Sequence, residues 1–177
     1  MTIDDVRAHV KHWVDTTLSV PSPKFNDLPP CPYSREALVR NTVDIRCVDG
    51  ATLVDTLVDA GNGWDDRYEL ILFACEPQGI APDALIAAVE GLRAWSEATD
   101  LVVFFDHPDN TNPKYQVTSA NGKYVMVGLQ RLSLFLKAAR PLVKHQYFEQ
   151  TRKQYLVDDQ LKSIGQPTFA KATADKP

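Results

Sequence analysis

Two short stretches carry most of the residues suited to reaction chemistry. The first is LPPCPYSREAL, residues 28–38, in which Cys31 stands between prolines before a helix-like run. Proline suits a first helical position, because its missing N–H would be unpaired there in any case. Pro32 therefore predicts a short helix to about Arg40, with Cys31 as its N-cap. A thiol at a helix N-terminus is stabilised as thiolate by the backbone N–H groups, below its free pKa of about 8.5. Arg35, one turn on, adds positive potential, and Tyr33 stands beside the thiol as a ligand contact. The alternative is a small buried residue shaping a Pro-rich turn, since buried free thiols are inert.

The second stretch is FFDHPDN, residues 104–110. Asp106 and His107 leave an apolar strand at its carboxyl end, where open α/β sheets bind ligands. His107 is placed to act as a general base, with Asp106 or Asp109 orienting it. The competing reading is a strand-exit turn, because Asp, Pro and Asn are ordinary turn residues. Arg131, near the start of a later helix, is a candidate anchor for a carboxylate or phosphate, against the commoner surface arginine. The catalytic candidates are thus Cys31, His107 and Asp106; the ligand-binding candidates are Tyr33, Arg35, Asp109 and Arg131. His9, His12, His107 and His145 show no metal-ligand spacing, so no metal site is expected, and the cofactor is unknown.

The elements that must position these residues follow from hydrophobic period. Ile3, Val6, Val10, Trp13 and Thr17 make one face of a helix over 3–18, and Thr2 with Asp5 forms a capping-box pattern. Residues 19–30 hold four prolines and make an irregular loop, with Phe25 and Leu28 packed inward. Val43 to Val48 reads as a strand. Asp49 caps a helix that Gly61 stops. Tyr68 to Cys75 reads as a buried strand, Pro82 opens a helix reaching Trp95, and Leu101 to Phe105 is a third strand. Cys47 and Cys75, within strands, read as core. This β-α-β-α-β order predicts an α/β (or α+β) fold with a small, mainly parallel sheet. The N-terminal helix and C-terminal helices would flank it.

Residues 115–128 fit either a hairpin turning at Asn121-Gly122 or an early start, from Tyr124, of the helix containing Leu129, Leu132, Phe135 and Leu136. Pro141 should kink or divide the helix there. The run from Val143 to Lys162 reads as a further helix, with Tyr147, Phe148 and Tyr155 as packing residues. One globular domain over 1–162 and a flexible tail over 163–177 are expected. The final FAKATADKP resembles a repeat-encoded tail found on unrelated bacterial proteins and has no bearing on function.

The bulk properties narrow the function classes. The chain has 177 residues, enough for one core, with 44% hydrophobic and 24% charged residues. A net charge of −4 argues against nucleic acid as a partner. No apolar run reaches the roughly 20 residues of a membrane span, and the first residues lack a signal-peptide core. Three widely spaced cysteines argue against a disulfide framework and for a reducing, cytoplasmic setting.

Cys31-Pro32-Tyr33-Ser34 resembles the active-site stretch of single-thiol glutaredoxins. A Pro-rich loop stands where those proteins have a strand, and no facing Thr-Val-Pro-type segment follows, so that fold is excluded and only a redox thiol survives. The ordered set of Cys31-Pro32-Tyr33-Ser34, the β-α-β-α-β middle, Asp106-His107-Pro108 and the Arg131 helix is similar to a bacterial family of unknown function. Its members carry a Cys-Pro-Phe-Ala stretch, a Phe-His-Pro stretch after a strand and an Asn/Arg-containing helix start. Here Tyr33-Ser34 replaces Phe-Ala, Asp106 precedes the histidine, and Ala120-Asn121-Gly122 replaces an Asn-Arg-Ser-type stretch. The resemblance implies that Cys31, His107 and Arg131 share one site. The expectation is a small enzyme or ligand-binding domain for a small anionic metabolite. The alternatives are a protein-protein interaction module, using the 19–30 loop and the aromatic C-terminal helix, and a single-thiol redox protein.

Overall fold

The computed structural model describes residues 1–113, 115 and 119–143. Four strands form one sheet: β1 (Val43–Cys47), β2 (Leu70–Cys75), β3 (Leu101–Asp106) and β4 (Val125–Arg131). Their spatial order is β1-β2-β4-β3. β1 pairs with β2 in parallel, while β4 pairs antiparallel with both β2 and β3. The fold is therefore mixed α/β, but the sheet is not mainly parallel. β1, β2 and β3 run in one direction, and β4 is inserted between the last two against them. Its register is set by contacts 20 to 60 residues away, which local periodicity does not encode.

Helices cover both faces. α3 (Leu53–Asn62), α4 (Pro82–Gly91) and α5 (Arg93–Ala98) lie on one side. There Leu53, Leu57, Leu85 and Val89 meet Ile71, Phe73, Val103, Val127 and Leu129 of the sheet. α1 (Ile3–Trp13), α2 (Ser34–Val39) and α6 (Leu132–Val143) lie on the other. Val6, Val10 and Val14 pack on Leu72, Ala74 and Met126, and Ala139 with Phe25 packs on Val102. Strand β2, and β4 as far as Leu129, are apolar because both of their faces are covered.

Local chemistry explains most element ends. Thr2 and Asp5 make a reciprocal capping box on α1. The helix then loosens into a π-turn over Val14–Leu18 rather than running on in α form to residue 18. Asp49 caps a 3-10 turn that leads into α3, and Pro82 opens α4. The predicted helix from Pro82 to Trp95 is broken at Leu92 into α4 and α5. Gly61 does not stop α3; it is buried where a Cβ would come within 2.5 Å of the Trp95 ring, and Gly63 follows the helix end. The ambiguity over residues 115–128 resolves into a strand from Val125 and a helix from Leu132. The helix starts there because Asp100, which precedes β3, accepts from the Leu132 and Ser133 N–H groups. Pro141 lies inside α6, which is not divided there. Asn121-Gly122 ends the long β3–β4 connection. The helix expected from Val143 onward, its aromatic residues, and the domain and tail boundary at 162 lie outside the described residues. No helix among the described residues is long and apolar enough to cross a membrane.

Candidate functional site

The structure separates the residues that the sequence grouped. Leu101, at the start of β3, is the register partner of Arg131. His107 follows the opposite end of that strand, about 20 Å away at the ordinary rise per residue. Arg131 and His107 thus lie at opposite ends of the sheet. The Arg131 guanidinium lies over the Trp64 ring, 5.3 Å from its centroid, and reaches the Thr99 carbonyl and Asp66 carboxylate, each at 3.4 Å. It is held as a stacked structural cation rather than aimed into a cleft.

Cys31 belongs to the α1–α2–α6 side, where its N–H donates to the Leu18 carbonyl. His107 reaches the Ile80 carbonyl on the α3–α4 side. Cys31 is also not the helix cap. Its carbonyl accepts from the Ser34 N–H and hydroxyl, which closes a Cys-Pro-Tyr-Ser turn, and α2 begins only at Ser34 with Tyr33 at the cap position. The residue is half-buried, but its sulfur is enclosed. Desolvation pushes the thiol pKa up, against hydrogen bonds from Tyr33 and Ser34 that pull it down. This is the reverse of an activated thiolate. Arg35 turns to Asp15 at 3.4 Å, and the Tyr33 hydroxyl donates to the Ala138 carbonyl on α6. Cys75 is buried, with its pKa pushed up to about 11, first by desolvation and then by Asp49 and Glu76. Cys47, expected in the core, is exposed at the end of edge strand β1.

The strand-end stretch is where polar groups do converge. Asp106 is only 8% exposed, His107 4% and Asn121 9%, in a protein whose other buried groups are almost all apolar. One Asp106 carboxylate oxygen accepts from both the backbone N–H and the side-chain amide of Asn121, each at 2.7 Å. Burial raises the Asp106 pKa; the Asn121 donors and the His107 backbone hydrogen bond oppose that rise. Asn121 is saturated. Its amide also donates to the Tyr124 carbonyl, and its oxygen accepts from the Lys123 and Tyr124 N–H groups. His9 of α1 contacts the same oxygen through Nε2 at 3.2 Å and meets the Tyr124 ring edge-on. His9 therefore joins α1 to this clasp.

His107 is equally committed. Its Nδ1 accepts from the Asp109 N–H at 3.0 Å, which leaves Nε2 to donate to the Ile80 carbonyl at 2.9 Å. A neutral ring with both nitrogens occupied is a brace, not a poised base. It ties the segment after β2 to the segment after β3. The Tyr115 hydroxyl adds a second tie by donating to Glu90 of α4.

Between the two braced segments lies a cleft of about 460 Å³. It is lined by Ala81, Pro82 and Asp83 at the start of α4, and by Asp109, Asn110, Thr111, Asn112 and Pro113. Asn110 stiffens its far wall by donating to the Tyr115 carbonyl and accepting from the Asn112 N–H. The cleft opens at the carboxyl ends of β2 and β3, and its lining, among the described residues, includes two carboxylates and no basic residue. Asp109 is thus the one sequence candidate that lines it, with Asp106 and His107 beneath as framework. Asn121 and Asp83 were missed. A strand-end aspartate followed by an Asn-Gly pair before the next strand is the available signal for the first. Among the described residues no group of three or more His, Cys, Asp or Glu is arranged to hold a metal ion. No family model, curated protein or solved structure matches the chain.

Proposed function

We propose that the protein is a small-molecule-binding domain whose ligand sits in the cleft between residues 81–83 and 109–113. The observation that carries this reading is the lining itself: two carboxylates, amides and a hydroxyl among the described residues, on walls fixed by His107. Carboxylates attract cations and repel anions at short range. The ligand class is therefore a small polar molecule bearing an amine, rather than the anionic metabolite that Arg131 and the Cys31 turn suggested. Asp83 also offsets the positive end of α4, which would otherwise favour an anion.

The test is an amide-resolved NMR titration of the full chain with a short diamine, and with citrate as the opposite charge. The diamine should shift the amides of residues 81–83 and 109–112 with a Kd near or below about 1 mM, and citrate should not. Replacing Asp83 and Asp109 together by Asn should weaken diamine binding at least about tenfold at unchanged fold. A diamine that leaves those amides unmoved, or an equal response to citrate, overturns the proposal. His107→Ala should disperse the same amides without ligand, because it frees the Ile80 carbonyl and the Asp109 N–H.

A further inference from the structure

Strand β1 is an edge: β2 pairs with one side of it, and among the described residues no strand pairs with the other. The direction of its backbone groups follows from two observed bonds. The Thr42 carbonyl accepts from Leu70, and the Val48 N–H donates to Ala74. In a parallel ladder alternate residues face one neighbour, so Thr42, Asp44, Arg46 and Val48 face β2. The N–H and C=O groups of Val43, Ile45 and Cys47 point outward, with no strand partner among the described residues.

The side chains carry a matching pattern. Asp44 and Arg46 lie on one face two residues apart, bonded to each other at 2.8 Å, with Arg46 also over the Phe73 ring. They are 22% and 39% exposed, so they are open to a partner. Edge strands are commonly guarded by charges of one sign or by proline. This one instead carries one charge of each sign about its central residue.

We propose that β1 pairs antiparallel with β1 of a second copy of the chain, about a two-fold axis at Ile45, to make one continuous eight-stranded sheet. In that register Ile45 faces Ile45 of the second copy, and Val43 faces its Cys47. Both are hydrogen-bonded pairings that use the outward groups. Asp44 then faces Arg46 across the non-bonded positions, twice by symmetry, where side chains approach most closely. The neighbouring registers that keep the same backbone groups facing outward fail. A two-fold axis at Asp44 sets two carboxylates opposite each other, and one at Arg46 sets two guanidiniums opposite each other. Self-complementarity of this kind is what a two-fold interface needs.

The experiment is sedimentation velocity on the full chain from about 10 µM to about 1 mM, with cross-linking as an independent reading of register. The expected result is a reversible dimer that Arg46→Asp weakens at least about tenfold and that the exchange Asp44→Arg with Arg46→Asp restores. Val43→Cys should form a disulfide between copies with the native Cys47 under mild oxidation, and adding Cys47→Ser should abolish it. Within one strand these positions are about 13 Å apart, too far to bridge. A chain that stays monomeric and uncross-linked across the range overturns the proposal. So does a dimer indifferent to Arg46→Asp, which would locate contact elsewhere, or one that the exchange fails to restore.

Discussion

Replacing Asn121 by Ala removes the side chain on which the buried polar clasp depends. Four described hydrogen bonds are lost besides the His9 contact: one to the Asp106 carboxylate, one to the Tyr124 carbonyl, and two from the Lys123 and Tyr124 N–H groups. A hydrogen bond to a charged group is worth about 1.5–3 kcal/mol and a neutral one about 0.5–1.5. The Lys123 N–H recovers water, and Asp106 keeps its backbone donor from Asn121. The expected cost is about 3–4 kcal/mol, a large share of a small domain's stability. It should also depend on pH. Asp106 titrates above its ordinary value, so it binds a proton in the native state before it does when unfolded. Its burial therefore costs nothing below about pH 3.8. The penalty grows as pH rises through the raised native pKa and is then constant. Removing the Asn121 donor raises that pKa further, so the destabilisation should be smaller at pH 4 than at pH 7. Urea unfolding of both proteins at the two pH values, with equal m-values, measures this. Asn121→Asp sets a second carboxylate against the first and should show a steeper version of the same trend. A cost under about 1 kcal/mol at pH 7, or one equal at both pH values, would refute the clasp as the main support of the β3–β4 connection.

The three thiols should rank by access rather than by helix electrostatics. Cys47 should alkylate first, with Cys31 and Cys75 slow in the folded protein and at Cys47's rate in urea; peptide mass spectrometry reads all three. Gly61→Ala should cost about 1–3 kcal/mol, because the added methyl meets the Trp95 ring and the Leu101 side chain within 2.8 Å. Urea unfolding followed by tryptophan fluorescence measures it, and a neutral effect would mean that the α3–α5 contact is looser than described.

Local signals were read well where the physics is local. The Thr2–Asp5 capping box, the Asp49 cap, the Pro82 helix start and the apolar β2 and β3 runs all depend on residues within a few positions of one another. The position of β4 does not, since β2 and β3 run the same way whether or not a strand lies between them. The candidate site failed for a related reason. His107 at a strand end looks poised until the Ile80 carbonyl, 27 residues away, occupies its second nitrogen. Cys31 looks like a cap, but α2 begins only at Ser34, with Tyr33 at the cap position. Arg131 was rightly placed beside a helix start, but at the wrong end of the sheet, because only the β3–β4 register says which end that is.

The inserted strand also dictates the order in which the molecule can be completed. β2 and β3 have no direct pairing, and every bond between the two sides of the sheet runs through residues 125–131. Those bonds close loops of 50 to 60 residues on the β2 side, from Cys75–Val125 to Leu70–Gln130. A chain emerging from the ribosome therefore carries two unfinished fragments with bare, apolar edges until β4 arrives. Long-range pairings of this kind are slow, and the exposed edges are where nascent chains aggregate. A protein cut short before residue 125 would not be a smaller version of this fold but two separate adhesive pieces of it.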